Sequence, residues 1–457
     1  MDLEDLIRAP EGKTLEFKRD LTSPSNVLKT ACSFANTSGG TIVIGIEDRT
    51  GTVRGVHDPL DAEERLASLV SDGITPRLIP DIDIVPWRNT HVLALRVHLG
   101  SSRPHHITSV GPDEGTYVRV GSTNRRADAS MIAELTRTAR GESFDEQPLA
   151  HLQADAIDLE AVRVAYDGIR EVRPRDLRTL RLTVEHQGQD VPTAGGVLLF
   201  GKARSEEFPD AWVQAGRFKG ETKAAIIDTA DLRAYPVSAV EHAMAFVNRN
   251  TASAVRIAGA RSVVVPEYPV EAVREAVINA VVHADYSQRG APVRIAIFDD
   301  RLEVESPGLL LPGLTVPDLR AGVSKVRNRV IARVFRDVGL IEQWGSGIGR
   351  IFEACLSAGL PEPLLEEVGT GFRVTLFSAD RSSPQVDEID SAVMQALREA
   401  NGLGTSEIAE HIRRTPRATR SRLQRLVDLG LVVQVGSSPN DPHRRYFMAE
   451  ERTRYGR

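Results

Sequence analysis

Two short hydrophilic segments interrupt this chain, and they argue against a fold built around one continuous core. The segments GESFDEQP at 141–148 and SADRSSPQ at 379–386 are polar and lack the apolar periodicity of the flanking sequence. A chain of 457 residues is long enough for several domains, since one domain has about 100–200 residues. We therefore expect separate domains, each with its own hydrophobic core.

Composition narrows the class of protein. Hydrophobic residues make up 41% of the chain and charged residues 26%, which is typical of a folded globular protein. The formal net charge of −6 provides no basic field over the whole molecule. Any affinity for nucleic acid must therefore come from local clusters of arginine and lysine.

Cysteine usage and hydropathy exclude further classes. The two cysteines, Cys32 and Cys355, lie far apart in apolar stretches, which argues against a disulfide framework and against a structural zinc site. No apolar run in the sequence approaches the roughly 20 residues that a helix needs to span a bilayer. Because the first residues are also acidic and polar, we expect a cytoplasmic protein with no membrane partner.

The pattern of apolar residues predicts a multidomain α+β protein. In the first stretch a helix at 26–35 is combined with alternating apolar strands such as TIVIGI. In the second stretch the apolar segment GGVLLFG at 195–201 is predicted to be a strand. A long helix, VEAVREAVINAVVHA, and a pair of strands follow in the third stretch, whereas the fourth has three helices and a hairpin. The predicted divisions are 1–140, 150–265 as the connecting region of the next module, 266–378 and 387–450.

Three carboxylates near the N-terminus form a first candidate site. Glu11 and Glu16 lie around the start of LEFKRD, and Asp48 ends the strand TIVIGIED. Hard divalent cations prefer carboxylate oxygens, and a bound metal could activate water against a phosphodiester. Solvated surface charge is the alternative, and in either case we expect all three side chains near the surface.

The segment SFANTSGGTIVIGIEDRTGTVRGV carries a more specific pattern. A helix ends in Asn-Thr-Ser-Gly-Gly and turns tightly into a buried strand, where Gly39 and Gly40 supply the free backbone. Together with EFK before it and GTYVRVGSTNRRAD after it, this segment resembles the Schlafen AlbA-type domain. The resemblance spans most of residues 8–130.

That resemblance implies a nucleic-acid-binding domain. Certain animal Schlafen proteins cleave RNA with two glutamates and an aspartate, which match Glu11, Glu16 and Asp48 here, whereas many bacterial relatives are only predicted to be regulators. Phosphate contacts are expected from basic residues of this domain, although any one of them could be plain solvated charge. These residues are Lys18, Arg19, Arg119, Arg125 and Arg126.

A second candidate site lies on the long helix of the third stretch. In REAVINAVVHADY the polar residues Glu275, Asn279 and His283 follow at i, i+4 and i+8, so a helix places them along one side. An unpaired amide on an otherwise apolar helix is costly to bury. A magnesium ion held by the Asn279 oxygen would explain it, with Glu275 polarising a water for attack on a γ-phosphate. A hydrated polar helix edge is the alternative.

The glycine motif GSGIGRI at 345–351 favours the magnesium interpretation. Gly345, Gly347 and Gly349 alternate at the start of a helix, where free backbone N–H groups can approach phosphate oxygens. The motif also stands in a defined order, after the long helix and the strand pair and before the strand of GTGFRVTLF.

This order, with AGVSKVRN and GLIEQWGSGIGR, resembles the ATPase domain shared by gyrase and histidine kinases (GHKL type). The resemblance is to the divergent form of this domain that is fused to Schlafen-type domains in bacterial regulators. The resemblance runs through 190–378 and implies an α/β sandwich that binds ATP with Mg²⁺. It makes Glu275 the water-activating acid and Asn279 the magnesium ligand, with His283 on the same helix face. The glycines match the phosphate loop, and Thr370 lies near the expected adenine contact.

The chain departs from that superfamily at one position. Most members have an aspartate that reads the adenine amino group, whereas this chain has Ser306-Pro307-Gly308. Gly308 is therefore predicted to contact the nucleotide without an acidic partner for adenine. Adenine specificity and turnover stay open, and weak hydrolysis or binding alone would fit these residues.

The last stretch carries a local basic cluster. HIRRTPRATRSRLQR holds six arginines and no acidic residue. In a recognition helix, arginines contact phosphates or guanine edges, and we expect this role for Arg417, Arg420 and Arg422. The segment resembles bacterial winged-helix regulators, with LVVQV and RRYFM as the wing. A winged helix used for dimerisation, with solvated arginines, is the alternative.

These features predict an ATP-binding, DNA-binding transcriptional regulator that forms a homo-oligomer. Its contact with DNA, or with RNA, is expected to respond to nucleotide. Two rivals remain open: an ATP-gated, metal-dependent Schlafen-like nuclease, and a degenerate ATPase fold that serves only as a dimerisation scaffold.

Overall fold

The computed structural model divides the chain into two compact units. The described residues are 3–47, 51–258, 261–341, 347–379, 388–400, 402–412, 414–428, 431–435 and 445–448. The larger unit is Pro10–Ala379, and the smaller unit combines Met1–Ala9 with Asp380–Arg457. Helix α1 (Leu3–Arg8) therefore belongs to the same unit as the C-terminal residues.

A four-stranded sheet organises the N-terminal part of the larger unit. Its elements are β1 (Leu15–Lys18), α2 (Pro24–Asn36), β2 (Gly40–Ile44), α3 (Pro59–Gly73), β3 (Ile74–Thr75), β4 (Asp81–Trp87), β5 (Thr90–Val97), β6 (His106–Ile107), α4 (Pro112–Gly115), β7 (Tyr117–Val120), β8 (Thr123–Arg126) and α5 (Ala129–Ala139). The sheet order is β1-β2-β5-β4, with β1 parallel to β2 and the other pairs antiparallel. Phe34 of α2 and Leu66 of α3 are fully buried in one core with Ile42 and Leu93 of the sheet. The helix predicted at 26–35 and the strand TIVIGI are thereby confirmed.

A six-stranded sheet organises the rest of the larger unit. After short 3-10 turns at Phe144–Glu146 and Ala154–Ala156, its elements are α6 (Leu159–Ala165), α7 (Asp176–Thr179), β9 (Thr183–His186), β10 (Gln189–Pro192), α8 (Ala194–Phe200), α9 (Arg204–Glu207), β11 (Val213–Phe218), β12 (Ile226–Leu232), α10 (Pro236–Asn250), β13 (Ser253–Ala258), β14 (Arg261–Pro266), α11 (Val270–His283), β15 (Val293–Ile297), β16 (Arg301–Pro307), α12 (Val316–Arg320), α13 (Arg329–Asp337), α14 (Gly347–Ser357), β17 (Leu364–Val368) and β18 (Gly371–Phe377). The sheet order is β12-β11-β15-β16-β18-β17, in which β11 and β15 are parallel and the other pairs antiparallel. The predicted long helix is α11, and the predicted strand pair is β15 with β16. Strands β11 and β12 come from the connecting region, so 150–265 and 266–378 share one sheet.

The strand predicted at 195–201 is wrong, because this segment forms helix α8. All seven of its residues are buried. Thr193 caps the helix, with its Oγ1 accepting a hydrogen bond from Gly196 N at 2.9 Å. A Cβ atom at position 196 would lie 2.1 Å from the Leu182 carbonyl oxygen, so the close approach of α8 requires glycine there. Short apolar runs fit a buried helix as well as a buried strand, and the Thr193 cap at the start of this segment favours the helix.

Besides α1, the described residues of the smaller unit form three helices and a three-stranded sheet. Its C-terminal elements are α15 (Glu388–Glu399), β19 (Leu403–Gly404), α16 (Thr405–His411), α17 (Pro416–Asp428), β20 (Val432–Val435) and β21 (Arg445–Met448). The sheet order is β19-β21-β20, and the predicted hairpin is the antiparallel pair β20 and β21. Leu397, Ile408 and Leu423 join the three helices in one buried core. The chain as a whole is a multidomain α+β protein, and none of the helices in its described parts is long and apolar enough to cross a membrane.

Candidate nucleotide site and nucleic-acid surfaces

Helix α11 places its polar residues along the wall of a cavity. Val277 and Val281 are buried in the core, whereas Glu275, Asn279 and His283 line a cavity of about 480 Å³. Small-molecule sites have volumes of about 300–1,000 Å³. The opposite side of the cavity is formed by residues 308–327, which follow β16 and which we call the cavity segment.

The start of helix α14 approaches α11 most closely at Gly347. A Cβ atom at position 347 would lie 2.6 Å from Glu275 Oε2 and 3.4 Å from Asn279 Nδ2, so glycine is required for this approach. Arg350, one turn along α14, donates a hydrogen bond from Nη2 to Glu275 Oε1 at 2.9 Å. Since Glu275 is only 5% exposed, the Arg350 guanidinium helps to compensate its buried charge. Arg274 Nη1 also lies 3.6 Å from Glu275 Oε1.

Asn279 carries a polar atom that lacks a partner. Its Nδ2 is buried and makes no hydrogen bond to any described residue. An unsatisfied buried amide costs about 1–3 kcal/mol, which a ligand in the cavity can offset. The unpaired Nδ2 is a donor that suits an acceptor such as a phosphate oxygen, and the Asn279 side-chain oxygen is a hard donor of the kind that Mg²⁺ prefers. Asn279 therefore fits the metal that the GHKL resemblance implies.

The lining of the cavity is rich in cations, which the sequence analysis did not single out. Lys325, Arg327, Arg336 and Arg350 line the cavity, and Glu275 is the one carboxylate among its described lining residues. An excess of positive charge in a concave site favours an anionic ligand such as a polyphosphate. The sequence held a signal for two of them, since Lys325 and Arg327 lie within AGVSKVRN, a motif of the resemblance.

His283 adds no charge to this set. Burial lowers the pKa of His283 to about 4, so the imidazole is neutral near pH 7. It makes no hydrogen bond or ion pair with a described residue. His283 therefore presents a neutral ring to the cavity.

Of the remaining predicted nucleotide contacts, Gly308 lines the cavity and Thr370 does not. Gly308 lines the cavity at a φ of 103°, and a Cβ atom there would lie 2.9 Å from the Asp285 Cβ. Its N–H donates to the Thr370 carbonyl at 2.9 Å, so Thr370 supports the rim through its backbone and is not among the lining residues. Gly349 has open space around its Cα, and Gly345 lies outside the described residues.

The N-terminal carboxylates differ from the expectation of three exposed side chains. Glu16 is 8% exposed, and its carboxylate accepts hydrogen bonds from Arg119 Nη2 at 2.5 Å and from Lys18 Nζ. Glu11 Oε1 accepts from Phe17 N at 2.7 Å. Asp48 lies outside the described residues. Among the residues that the structure describes, no three His, Cys, Asp or Glu side chains form a group that could hold a metal ion. A divalent cation at Glu16 would have to compete with two cationic side chains.

Arg119 is a structural cation rather than a surface one. Its side chain is fully buried, and its guanidinium also donates to the Gly12 carbonyl at 3.0 Å and to Asn124 Oδ1 at 2.8 Å. This burial argues against the predicted phosphate contact of Arg119, because its guanidinium would have to leave these partners to reach nucleic acid. The sequence could not reveal this, since arginine in a strand is usually solvated.

The other basic residues of this domain differ in their exposure to solvent and in their ion pairs. Lys18 is half-buried beside Glu16, and Arg126 pairs with Glu114 at the surface. Arg125 is exposed and forms no ion pair with a described residue. Both arginines lie on strand β8. Arg125 is therefore the best placed of these three residues for a phosphate contact.

The predicted recognition helix of the smaller unit is α17. Arg420 is exposed and makes no ion pair with a described residue. Arg422 instead donates to Asp390 Oδ1 at 3.1 Å, and Arg425 approaches Asp390 Oδ2 at 3.2 Å. Since Asp390 is fully buried, these two arginines hold α17 on α15. The side chain of Arg417 lies outside the described part of the structure.

Three family models match the chain in separate regions. Residues 11–128 match the model "Schlafen, AlbA_2". Residues 290–376 match HATPase_c_4, "Putative ATP-dependent DNA helicase recG C-terminal", and residues 386–433 match "Winged helix-turn-helix DNA-binding". The chain combines a Schlafen AlbA_2 domain, a RecG-like ATPase domain and a winged helix. The resemblances that the sequence indicated are thereby confirmed.

The matched residues stop short of part of the cavity. The RecG-like ATPase match begins at residue 290, after helix α11, so it includes Gly347 and Gly308 but not Glu275, Asn279 or His283. The roles of those three side chains rest on the cavity itself.

Two solved structures resemble parts or all of the chain at low similarity. The crystal structure of the DIP2311 protein from Corynebacterium diphtheriae is 20% identical, with 99% of this chain and 97% of that chain covered and a TM-score of 0.44. The solution structure of the N-terminal domain of a RecG-related protein from Nitrosomonas europaea is 24% identical, with 27% and 90% covered and a TM-score of 0.23.

Proposed function

We propose that this chain is a DNA-binding regulator that responds to nucleotide. The cavity binds ATP with Mg²⁺, the winged helix binds DNA, and nucleotide in the cavity alters nucleic-acid binding by the Schlafen AlbA_2 domain. The observation that carries the proposal is that the cavity segment is hydrogen-bonded to Thr37 and Ser38 of the AlbA_2 domain and to Glu134 of helix α5, which follows that domain. A homo-oligomer stays a prediction.

The first contact lies in the turn between α2 and β2. Gly313 N donates to the Thr37 carbonyl at 2.6 Å, and Ser38 Oγ donates to the Leu314 carbonyl at 3.1 Å. Leu314 also lines the cavity. A ligand that displaces this part of the cavity segment therefore acts on the Asn-Thr-Ser-Gly-Gly turn directly.

The second contact lies at the other end of the cavity segment. Arg327 donates to a carboxylate oxygen of Glu134 on α5, and Ser143 Oγ donates to the Arg327 carbonyl at 2.9 Å. Burial lowers the pKa of Arg327 to about 10, which still leaves it protonated near pH 7. Arg327 lines the cavity as well. A phosphate that attracts its guanidinium would therefore weaken the bond to Glu134.

Thr37 continues this route into the AlbA_2 domain. Its Oγ1 accepts a hydrogen bond from Arg119 N at 2.9 Å. The guanidinium of the same arginine binds Glu16 and the Gly12 carbonyl. One residue thus contacts both the cavity segment and the cation that organises the N-terminal carboxylate. This is a contiguous physical path between two sites, of the kind that can transmit a coupling free energy.

The residues of the cavity have distinct tasks in the proposed complex. Asn279 would hold Mg²⁺ through its oxygen, and Arg350 and Lys325 would meet phosphate oxygens. Glu275 would orient a water molecule toward the γ-phosphate. The nucleotide supplies the phosphoanhydride, and the protein supplies position and charge.

Fluorescence anisotropy on the full chain tests the nucleotide response. The Kd for labelled duplex DNA, and separately for RNA, is measured with and without ATP and Mg²⁺. We expect a change of about 5- to 150-fold, the usual range for coupled sites. The double variant Ser38→Ala with Glu134→Gln should reduce this change while calorimetry shows ATP still bound.

The matched control is Ser68→Ala with Glu64→Gln, two exposed residues of α3 in the same domain. It should keep the full response. Wild-type protein that binds ATP by calorimetry, yet shows the same Kd for every nucleic acid in its presence and absence, would remove the regulatory part of the proposal. Absence of any ATP heat would remove the nucleotide part.

A further inference from the structure

A second cavity lies between the AlbA_2 domain and the RecG-like ATPase domain. Its volume is about 360 Å³, within the range of ligand sites. Helix α5 and the residues that follow it form one side, and the cavity segment forms another. Lys325, Val326 and Arg327 line both this cavity and the one beside α11. We call it the interdomain cavity.

Three cations of the interdomain cavity have no carboxylate partner. Arg103, Arg137 and Lys325 line it, and none of them forms an ion pair with a described residue. Their hydrogen bonds go to neutral oxygens. Arg103 donates to the Gly100 carbonyl, Arg137 to Ser287 Oγ at 3.4 Å, and Lys325 to the Pro312 carbonyl at 2.7 Å.

The same cavity holds buried donors that are not satisfied. The Nε atoms of Arg103 and Arg327 are buried and make no hydrogen bond to a described residue. Arg327 is only 8% exposed. An unmet donor on a buried charged group is among the costlier defects a fold can carry, and an anionic ligand in the cavity would supply an acceptor.

The carboxylates of this cavity offset only part of its positive charge. Glu134 is bonded to Arg327, and Arg329 is bonded to Glu146, which does not line the cavity. The buried Asp285 accepts hydrogen bonds from Ser287 and Gln288 and, like the exposed Glu142, attracts the Arg137 guanidinium without forming an ion pair with it. The described lining residues therefore include five cationic side chains and three carboxylates.

We propose that the interdomain cavity is a second anion site, which binds a phosphate-bearing ligand through Arg103, Arg137 and Lys325. Arginine and lysine side chains are the usual phosphate ligands, and Arg offers several donors to one phosphate group. Arg103 and Arg137 line this cavity and not the nucleotide cavity beside α11, whereas Lys325 lines both. Because the two cavities share residues 325–327 of the cavity segment, a ligand in one alters the position of groups that line the other.

Calorimetry with inorganic pyrophosphate on the full chain tests this site. Wild-type protein should bind pyrophosphate in the interdomain cavity, and Arg137→Gln and Arg103→Gln should each weaken that binding by about tenfold or more, the effect of one hydrogen bond to a charged group. Neither residue lines the nucleotide cavity. Arg140→Gln, an exposed arginine at the end of α5, is the control and should bind as wild type does. Thermal unfolding of each variant checks that the domains still pack together.

The outcomes separate this site from the proposed nucleotide site. Asn279→Ala should leave the pyrophosphate binding that depends on Arg137 unchanged, even if it abolishes ATP binding. Displacement of pyrophosphate by AMP points to a free nucleotide as the source of the phosphate, and displacement by a short single-stranded oligonucleotide points to a nucleic-acid backbone. If Arg137→Gln and Arg103→Gln both fold and bind pyrophosphate as tightly as wild type, the interdomain cavity is not an anion site.

Discussion

The two carboxylate sites of the larger unit differ in how far the protein itself already satisfies them. Beside Glu275 a cavity of about 480 Å³ stays open, and the Asn279 amide has an atom without a described partner. Around Glu16 the carboxylate is only 8% exposed and is bonded to Arg119 and Lys18. Both carboxylates are paired with arginine, Glu275 with Arg350. The difference lies in the open cavity and the unpaired Asn279 donor beside Glu275, which leave interactions for a ligand to make. A pattern of acidic residues in a sequence does not distinguish these two cases.

The largest effect is expected at Glu16. Glu16→Ala should destabilise the larger unit by about 3–5 kcal/mol, because Arg119 would be left as a buried cation without a carboxylate. Urea unfolding of the full chain measures this change. Glu114→Ala is the control, since its ion pair with Arg126 is exposed and should contribute about 0–1 kcal/mol.

The same pair of variants tests the nuclease alternative. If Glu16→Ala is as stable as Glu114→Ala and only Glu16→Ala loses manganese-dependent cleavage of RNA, then Glu16 is a catalytic ligand and the comparison above is wrong. If wild type shows no cleavage beyond either variant, the N-terminal carboxylates serve the fold.

The second prediction concerns how the free energy of unfolding depends on pH. The pKa of His283 is lowered to about 4 by burial, against an unfolded value of about 6.5. Between these values the unfolded chain binds more protons than the native one, so stability should fall as pH decreases through this window, by about 1–3 kcal/mol in total. His283→Gln should flatten that part of the stability curve, as measured by urea unfolding from pH 7 to pH 4. A curve with the same slope in both proteins would show that His283 titrates normally in the fold.

The third effect concerns nucleotide affinity. Asn279→Ala should weaken ATP binding in the presence of Mg²⁺ by about 1.5–3 kcal/mol, the value of a hydrogen bond or ligand contact to a charged group. Glu275→Gln should spare binding and lower any hydrolysis. Calorimetry measures the first and phosphate release the second. Glu271→Ala, on the exposed first turn of the same helix, should match wild type, and a loss there equal to that of Asn279→Ala would remove the assigned role.

The sequence predicted the local arrangement of the polar residues on α11. The spacing of Glu275, Asn279 and His283 places them on one helix face, because an α-helix repeats every 3.6 residues, and all three line one cavity. Gly347 was predicted as part of a phosphate loop, whereas its close approach to Glu275 joins residues far apart in the chain and is seen only in the structure.

The sequence could not predict the contacts between residues far apart in the chain. Lys13 pairs with Glu367 at 2.5 Å across 354 positions, and Glu134 meets Arg327 across 193. Segment 141–148 was predicted to be a polar linker, yet Asp145 is fully buried and accepts hydrogen bonds from Val330 N and Ile331 N at the start of α13. The polar composition of this segment predicted that it is exposed to solvent. A carboxylate can equally well accept hydrogen bonds from the unpaired N–H groups at a helix N-terminus.

The last prediction concerns two arginines of helix α17, and it extends the comparison to the winged helix. Arg420 is exposed without a described ion pair, whereas Arg422 is bonded to the buried Asp390. Arg420→Ala should therefore weaken DNA binding by about 1–3 kcal/mol for the matching sequence if it reads a base. If it contacts only phosphate, the loss should be equal for all sequences, and the salt dependence should fall by about 0.9 on logarithmic axes. Arg422→Ala should mainly lower stability, because it removes a cation that is hydrogen-bonded to the buried Asp390. Anisotropy with duplex DNA at several salt concentrations, together with unfolding of both variants, measures these differences.

DNA affinity that is independent of salt and unaffected by Arg420→Ala would favour a winged helix used for dimerisation, since a dimer interface has no reason to release counterions from DNA.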